Sequence, residues 1–217
     1  MLHQRYKDIC FLIISKATLP NYWLRRLRSS LQSGNGAPLH LHIGCGPKYL
    51  PGFVNIDAVP LHKLDLWLDA RNGLPYRTAS ADSVYCTHVL EHLYHDELIK
   101  VLGECSRVLK PGGGLRLIVP SLNHAIRAYM QSRHEWFGDQ FPHHFDSLGG
   151  RFSNYLFCDG QHRTAFDFEY MREMLLRAGF TEINEVSEGE SRLYGERVPA
   201  YQPKSDLPPS LYVEAFK

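Results

Sequence analysis

The sequence lacks a long apolar run, an excess of charge of either sign and any closely spaced pair of cysteines. Its 24 lysines and arginines nearly balance its 23 aspartates and glutamates, so bulk charge gives no reason to expect nucleic-acid binding. The N-terminal apolar run Ile9–Ile14 has six residues, well below the roughly 18 that span a bilayer. The five cysteines are scattered, which argues against a disulfide framework or a zinc ribbon and favours reduced thiols in a cytoplasmic protein.

Two nucleotide-binding motifs are also incomplete. The turn Gly44-Cys45-Gly46 has Tyr49 where a dinucleotide-binding motif has its third glycine, and Asp57 follows too soon for the usual spacing of about 20 residues. No Lys-Ser or Lys-Thr follows the glycine run 112–114, so we interpret it as a turn rather than a phosphate loop. An NAD-type oxidoreductase therefore stays a less favoured alternative.

What the sequence does contain is a series of short apolar segments that end in glycines or carboxylates. Residues 39–43 lead into the Gly44-Cys45-Gly46 turn, residues 53–56 lead into Asp57, and a third run ends at Asp69. Glycines allow the backbone to approach a ligand closely, and a carboxylate at a neighbouring strand tip can accept hydrogen bonds from ribose hydroxyls. The pattern predicts a nucleotide-type cofactor site at the carboxyl ends of these strands.

Strands and helices alternate along the chain, which predicts one α/β domain around a mostly parallel sheet. We place it at residues 37–217, after an N-terminal helical region at 1–36 that ends in the turn-forming residues 33–38. The predicted strands are 39–43, 53–57, 61–68, 83–88, 115–120, 180–186 and 211–216, and the predicted helices are 96–109, 122–133 and 168–178. Residues 199–209 are interpreted as a proline-rich loop.

Two segments do not follow this alternation. Residues from about 135 to 165 are rich in aromatics and histidines without periodicity, and a loop this long is usually functional, so we interpret them as a substrate-side insertion or lid. Residues 22–28 combine aromatic residues with three arginines. Such a helix either packs its Trp/Leu face on the domain, which we favour, or lies on a membrane surface.

Several motifs occur in the order typical of one enzyme family. They are residues 41–46 (LHIGCG), 55–57 (NID), 69–70 (DA) with 74–76 (LPY), 81–84 (ADSV) with 88–93 (HVLEHL), and 108–113 (VLKPGG) followed by 115–120 (LRLIVP). Over residues 39–217 the chain resembles the class I S-adenosylmethionine (SAM)-dependent methyltransferases. Residues 162–167 (HRTAFD) before 177–180 (RAGF) are similar to a bacterial subgroup associated with cell-surface polysaccharide biosynthesis.

This resemblance implies a three-layer Rossmann-like sandwich whose seven-stranded, mostly parallel sheet has an antiparallel last strand. It also implies that SAM is the cofactor. The implied cofactor-binding residues are Gly44, Cys45 and Gly46 for the methionine part, Asp57 for the ribose, Asp69 and Ala70 for the adenine, and His88 at the exit of the fourth strand. An ordinary turn and two strand-end caps are the structural alternative. Only residues 47–52 stand where the family usually has a helix, which predicts weaker binding of the methionine carboxylate.

Histidines are the candidates for catalysis, because an imidazole is suited to accept a proton from an acceptor hydroxyl near neutral pH. We favour His92 and His162 as candidate bases, with His144 and Arg163 as candidates for binding the acceptor. The structural alternative is that His92 packs at a helix start and His162 and Arg163 form a network with Asp167.

The histidines also raise the question of a metal. His88, His92 and His95 would share one face of a helix, and residues 143–146 (HHFD) add potential ligands. The fourth-strand motif already accounts for His88 and His92, and no acidic cluster of the magnesium type accompanies them. We therefore predict no metal.

The resemblance predicts a SAM-dependent methyltransferase acting on a small molecule or glycan acceptor, with a hydroxyl of a sugar or glycan precursor favoured. Small metabolites and lipid-linked intermediates stay open as acceptors. A non-catalytic protein of the same fold is the second alternative. The expected location is cytoplasmic, with the inner-membrane surface as an alternative contact for the N-terminal helices.

Overall fold

A computed structural model describes residues 4–31, 37–138, 143–195 and 210–217. The strands are β1 (His40–Ile43), β2 (Val54–Asp57), β3 (Leu66–Trp67), β4 (Ala81–Thr87), β5 (Leu109–Pro120), β6 (Glu182–Glu185) and β7 (Ser210–Phe216). The helices are α1 (Gln4–Ala17), α2 (Leu19–Leu31), α3 (His95–Val108), α4 (Leu122–Met130), α5 (Leu148–Phe157) and α6 (Phe168–Arg177). The predicted proline-rich loop and most of the predicted 33–38 turn cluster lie outside the described residues.

The seven strands form one sheet in the order β3-β2-β1-β4-β5-β7-β6. Strand β7 runs antiparallel to both of its neighbours, and the remaining pairs are parallel. The prediction of a seven-stranded, mostly parallel sheet with an antiparallel last strand is therefore confirmed. The five strands β1 to β5 are parallel to one another and deliver their carboxyl ends to the same edge.

One face of the sheet carries the main hydrophobic core. Alternate residues along β1, β4 and β5 point to this face, as the two-residue period of a strand requires. Against them pack the apolar faces of α3 and α6, whose buried residues are Leu98, Val101, Leu102, Cys105, Met171, Met174 and Leu175. The helical spacing seen in the sequence of α3 is thus the packing face of a crossover helix.

The opposite face of the sheet is built from polar and aromatic side chains. His42, Tyr85 and Arg116 alternate with the core residues of their strands and are buried on this side. Residues 47–52 form turns and coil rather than a helix, in line with their short length. Coil residues including Leu50, Phe53 and Tyr194 pack on Tyr85 here.

A buried ion pair ties one of these coil segments to the sheet. Arg116 on β5 and Glu214 on β7 lie 2.8 Å apart, and both side chains are 1% exposed. Arg116 Nη1 also donates to the carbonyl of Glu190 (2.8 Å), and Glu214 Oε2 accepts from the backbone N–H of Arg192 (2.9 Å). The pair therefore fixes residues 190–192 as well as the two strands.

The glycine run differs from its prediction. Strand β5 begins at Leu109 rather than at residue 115, so residues 112–114 lie within the strand and not in a turn. The N–H of Gly112 donates to the carbonyl of Lys217, and the N–H of Lys217 donates to that of Gly113. The register against β4 shifts between Ala81 and Ser83, which is a bulge that the positive φ of Gly112 (75°) permits.

The region expected to be an irregular insertion contains a helix. Helix α5 begins after Ser147, whose side chain accepts a hydrogen bond from the N–H of Gly150. It packs against α4 in a second small core that holds Ala125, Phe137 and Tyr155. The two glycines in its first turn disfavour helix by propensity, which is why ten residues of helix left no clear periodicity in the sequence.

Replacement of Glu214 by alanine is expected to destabilise the domain by about 3–5 kcal/mol, because it leaves the Arg116 charge buried without a partner. Urea denaturation monitored by circular dichroism measures this change. The double variant Arg116→Met/Glu214→Leu is expected to lose less stability than Glu214→Ala alone. Equal losses in both variants would contradict the account of a coupled buried pair.

Candidate functional site

A cavity of about 620 Å³ lies at the carboxyl edge of the parallel strands. Its lining includes Gly44 and Gly46 after β1, Asp57 at the end of β2, and Asp69 after β3. The volume is within the range of small-molecule sites. The structure therefore brings together the two glycines and the two carboxylates that the sequence singled out.

The glycine turn is held tightly between β2 and β4. The N–H groups of Gly44 and Cys45 both donate to the carbonyl of Ile56, at 2.8 and 3.1 Å. Gly44 has φ of +68°, and a Cβ at this position would overlap Cγ2 of Val89. Gly46 also has positive φ (48°), but a Cβ there would meet no atom within 4 Å. Gly44 is thus required by close packing, and Gly46 leaves its side open to the cavity.

Asp57 anchors this turn. Its Oδ2 accepts a hydrogen bond from the N–H of Gly46 (2.7 Å), and its Oδ1 accepts one from the N–H of Val59 (2.8 Å). Each carboxylate oxygen can accept a further hydrogen bond. The strand-end cap considered as the structural alternative is therefore present, and it leaves acceptor capacity beside the cavity.

Asp69 is engaged more fully. It caps a 3₁₀ turn formed by Ala70–Asn72, accepting from the N–H of Arg71 at 2.9 Å. The Arg71 guanidinium lies 2.7 Å from Asp69 Oδ2 and 2.9 Å from Glu97 Oε1. Asp69 and Ala70 both line the cavity, and their contact with adenine stays a prediction. The Asp69 carboxylate also has a structural role, because it caps the 3₁₀ turn and pairs with Arg71.

Helix α1 closes one side of the cavity. Asp8, Phe11 and Ile14 of α1 are among its lining residues. Asn72 Nδ2 donates to the carbonyl of Ser15 (2.8 Å), which attaches the end of α1 to the 3₁₀ turn after β3. Helix α1, which the sequence prediction separated from the domain, therefore contributes to the site.

Helix α2 does not pack as predicted. Trp23, Leu24 and Leu27 are exposed, whereas Tyr22 contacts the main core and Asn21 Nδ2 donates to the carbonyl of Trp67 (3.1 Å). The prediction that the Trp/Leu face packs on the domain is wrong. Hydrogen bonds from the other face decide the orientation, and helical periodicity cannot reveal them.

A cluster of titratable side chains borders the same cavity after β4. His88 has φ of +51°, and its Nδ1 lies 2.9 Å from Oε1 of the buried Glu91. Burial raises the pKa of Glu91, but the hydrogen bond from His88 and the neighbouring imidazoles outweigh it and bring the pKa below its usual value. The hydrogen bond from His88 therefore favours the ionised form of this buried carboxyl group.

Both candidate bases belong to this cluster. The rings of His92 and His162 lie 5.1 Å apart, and His92 Nδ1 lies 3.1 Å from the carbonyl oxygen of Gln161. Burial lowers the pKa of His162. Sequence analysis named both histidines but missed Glu91, although it stands in the same motif.

The other predicted residues divide between the cavity and its surroundings. Arg163 lines it, pairs with Asp8 at 2.6 Å, and donates its backbone N–H to the carbonyl of Glu91 (2.7 Å). Cys45 lines a smaller cavity of about 270 Å³, and burial raises its pKa to about 11. His144 lines neither cavity; it is exposed beside Asp146, 3.5 Å away.

Comparisons with known proteins concern the family and the fold. Residues 58–117, just over a quarter of the chain, match a family described as a methyltransferase domain. A comparison with curated protein sequences gives no match. The structure resembles a SAM-dependent methyltransferase from Archaeoglobus fulgidus with a TM-score of 0.50 and 17% identity, over 91% of this chain and 94% of that one.

A SAM-dependent methyltransferase from Mesorhizobium loti also resembles the chain, with 14% identity over 91% of this chain and 98% of that one and a TM-score of 0.48. The Archaeoglobus structure shows the fold, so the predicted Rossmann-like architecture is confirmed. The predicted cofactor agrees with the matched descriptions. The polysaccharide-associated subgroup stays a prediction.

Replacement of Gly44 by alanine is expected to cost about 2–4 kcal/mol of stability. An alanine here would have to keep the left-handed backbone conformation of Gly44, and its Cβ would collide with Val89. Thermal denaturation measures the loss. Gly103→Ala is the matched control, since a Cβ at Gly103 in α3 meets no atom within 4 Å. A Gly44→Ala variant as stable as Gly103→Ala would show that the turn is not packed as described.

Proposed function

We propose that this chain is a SAM-dependent methyltransferase that binds its cofactor in the 620 Å³ cavity. The observation that carries the proposal is the meeting of the exposed glycine backbone with the Asp57 carboxylate at one edge of a parallel sheet. When bound, SAM supplies a methyl group on a positively charged sulfur.

The residues that line the cavity fit such a ligand. Asp57 has acceptor capacity for the two ribose hydroxyls, and the open side of Gly46 admits the methionine part. Leu68, Val89 and Val101 provide apolar lining for an adenine ring. The pocket is therefore apolar with a few directed polar groups, which is the usual composition of a cofactor site.

The acceptor is proposed to enter beside the histidines. His92 and Arg163 line the same cavity as the glycine turn, and His162 stands next to His92. Imidazoles can hydrogen-bond a hydroxyl, so they suit a sugar or glycan precursor. Because methyl transfer from a sulfonium is a displacement in line, the main task of these residues is to hold the acceptor oxygen in position.

We further propose that α1 and α2 rest on an anionic membrane surface. Ile9, Leu12, Ile13, Trp23, Leu24 and Leu27 are between 54% and 66% exposed. Residues 1–31 carry six lysines and arginines against one acidic residue, Asp8, as interfacial helices often do. Among the described residues, no helix is long and apolar enough to cross a bilayer. Such contact would present the α1 side of the cavity to a lipid-linked acceptor.

Replacement of Asp57 by alanine is expected to weaken SAM binding at least about tenfold, because charge-assisted hydrogen bonds to the ribose are lost. Isothermal titration calorimetry measures the dissociation constant. Asp96→Ala is the control, since Asp96 is an exposed carboxylate whose one ion pair among the described residues is a 3.9 Å contact with Lys100. Unchanged affinity in the Asp57 variant would remove this residue from the cofactor site.

The double variant Trp23→Ser/Leu27→Ser is expected to reduce binding to phosphatidylglycerol vesicles about tenfold or more, because two apolar side chains no longer enter the interface. Vesicle co-sedimentation gives the bound fraction. Met130→Ser on α4 removes an equally exposed apolar side chain elsewhere and is expected to have no effect. Wild-type protein that fails to sediment with the vesicles would rule out the membrane contact.

A further inference from the structure

Three potential ligand atoms meet beside the 620 Å³ cavity, which His92 lines. Glu91, His92 and His162 each offer one nitrogen or oxygen atom, and these atoms all lie within 4.8 Å of one another. We propose that the three side chains bind a divalent transition-metal ion of the Zn²⁺ type. This site differs from the helical His88, His92 and His95 set weighed in the sequence analysis, because His95 faces Tyr170 instead, 3.2 Å from its hydroxyl.

Glu91 provides the first argument. Its side chain is 2% exposed, and its Oε1 lies 2.9 Å from His88 Nδ1. Oε2 is buried and accepts no hydrogen bond from another residue within the described part of the chain. A buried carboxylate oxygen without a partner is costly, and a cation beside it would remove that cost.

The orientation of His92 provides the second argument. Its Nδ1 lies 3.1 Å from the carbonyl oxygen of Gln161. Because a carbonyl oxygen can only accept, Nδ1 carries the hydrogen, and the lone pair of Nε2 is available to a cation. Metal-binding histidines are usually held in this way by a second hydrogen bond.

The ligand types select the ion. Two imidazoles and one carboxylate form a common zinc set that leaves a position open, whereas magnesium prefers oxygen ligands. With metal–ligand bonds near 2.1 Å, the ligand atoms of a tetrahedral ion are roughly 3.4 Å apart, so a pair of atoms separated by the full 4.8 Å has to close by about 1.4 Å. His92 is exposed and is free to make most of that adjustment by side-chain rotation.

The role of the ion rests on the proposed function. At the open position it would bind the acceptor oxygen and lower the pKa of that hydroxyl, whose proton leaves for water. In this state His92 and His162 are ligands rather than bases. The site would then favour acceptors that react through a hydroxyl oxygen over acceptors that react through a protonated amine.

The test uses the full chain without a histidine tag, stripped with EDTA and titrated calorimetrically with Zn²⁺, Mn²⁺ and Mg²⁺. We expect one saturable Zn²⁺ site per chain, with Mg²⁺ at least about tenfold weaker. His92→Ala and His162→Ala are expected to weaken Zn²⁺ binding by about 10-fold or more, and Glu91→Gln likewise. His144→Ala, which removes an imidazole outside the cluster, is expected to leave the affinity unchanged.

Thermal denaturation of each metal-free variant shows whether it is folded. Of the three variants, His92→Ala is expected to disturb folding least, because the His92 side chain lies at the surface. Absence of a Zn²⁺ site in the wild type, or equal affinity in wild type and folded His92→Ala, would overturn the proposal. SAM is not needed in this titration. If SAM binds but Zn²⁺ does not, only the metal site is rejected. If Zn²⁺ binds but SAM does not, only the proposed activity is rejected.

Discussion

The hydrogen bond from the Gly46 N–H to the Asp57 carboxylate (2.7 Å) is the constraint on which the site depends. In related folds, a helix after the glycine turn would orient the turn's N–H groups. Residues 47–52 form no helix here, so the turn is instead fixed to the end of β2 by Asp57 and by the carbonyl of Ile56. The same carboxylate that would hold a ribose therefore also shapes the glycine backbone beside it.

The second constraint is the attachment of the N-terminal helices. Buried Ser15 and Thr18 meet Asn72 through hydrogen bonds of 2.8 and 3.1 Å, and Asp8 pairs with Arg163. These contacts hold α1 against the domain, where its residues line the cavity. The backbone N–H of Arg163 also donates to the carbonyl of Glu91, so Arg163 contacts both α1 and the histidine cluster. An anionic acceptor that binds Arg163 would compete with Asp8 and weaken the attachment of α1.

The sequence predicted the features that depend on local pattern. Apolar runs that end at Gly44, Asp57 and Asp69 gave the strand tips, and the spacing of Leu98, Val101 and Leu102 gave the core helix. It could not predict that Gly112 and Gly113 pair with Lys217, because that pairing joins residues about a hundred positions apart and a glycine run by itself indicates a turn.

The remaining errors have a similar origin. The outward position of Trp23 follows from hydrogen bonds that Asn21 makes with a distant strand, and no helical period contains that information. Glu91 was overlooked because a charged residue is normally taken to be exposed. Its burial becomes evident only when β4, the helix start and residues 161–163 come together. Local sequence pattern predicts burial least well at sites of this kind, where long-range packing buries a polar group.

The most direct test is a calorimetric titration of the wild-type protein with S-adenosylhomocysteine, the demethylated form of the proposed cofactor, with NAD as the comparison ligand. The account predicts saturable one-to-one binding of the adenosyl ligand and no heat with NAD. Binding of NAD alone, or of neither ligand, would contradict the assignment of the glycine turn and Asp57 to a SAM site.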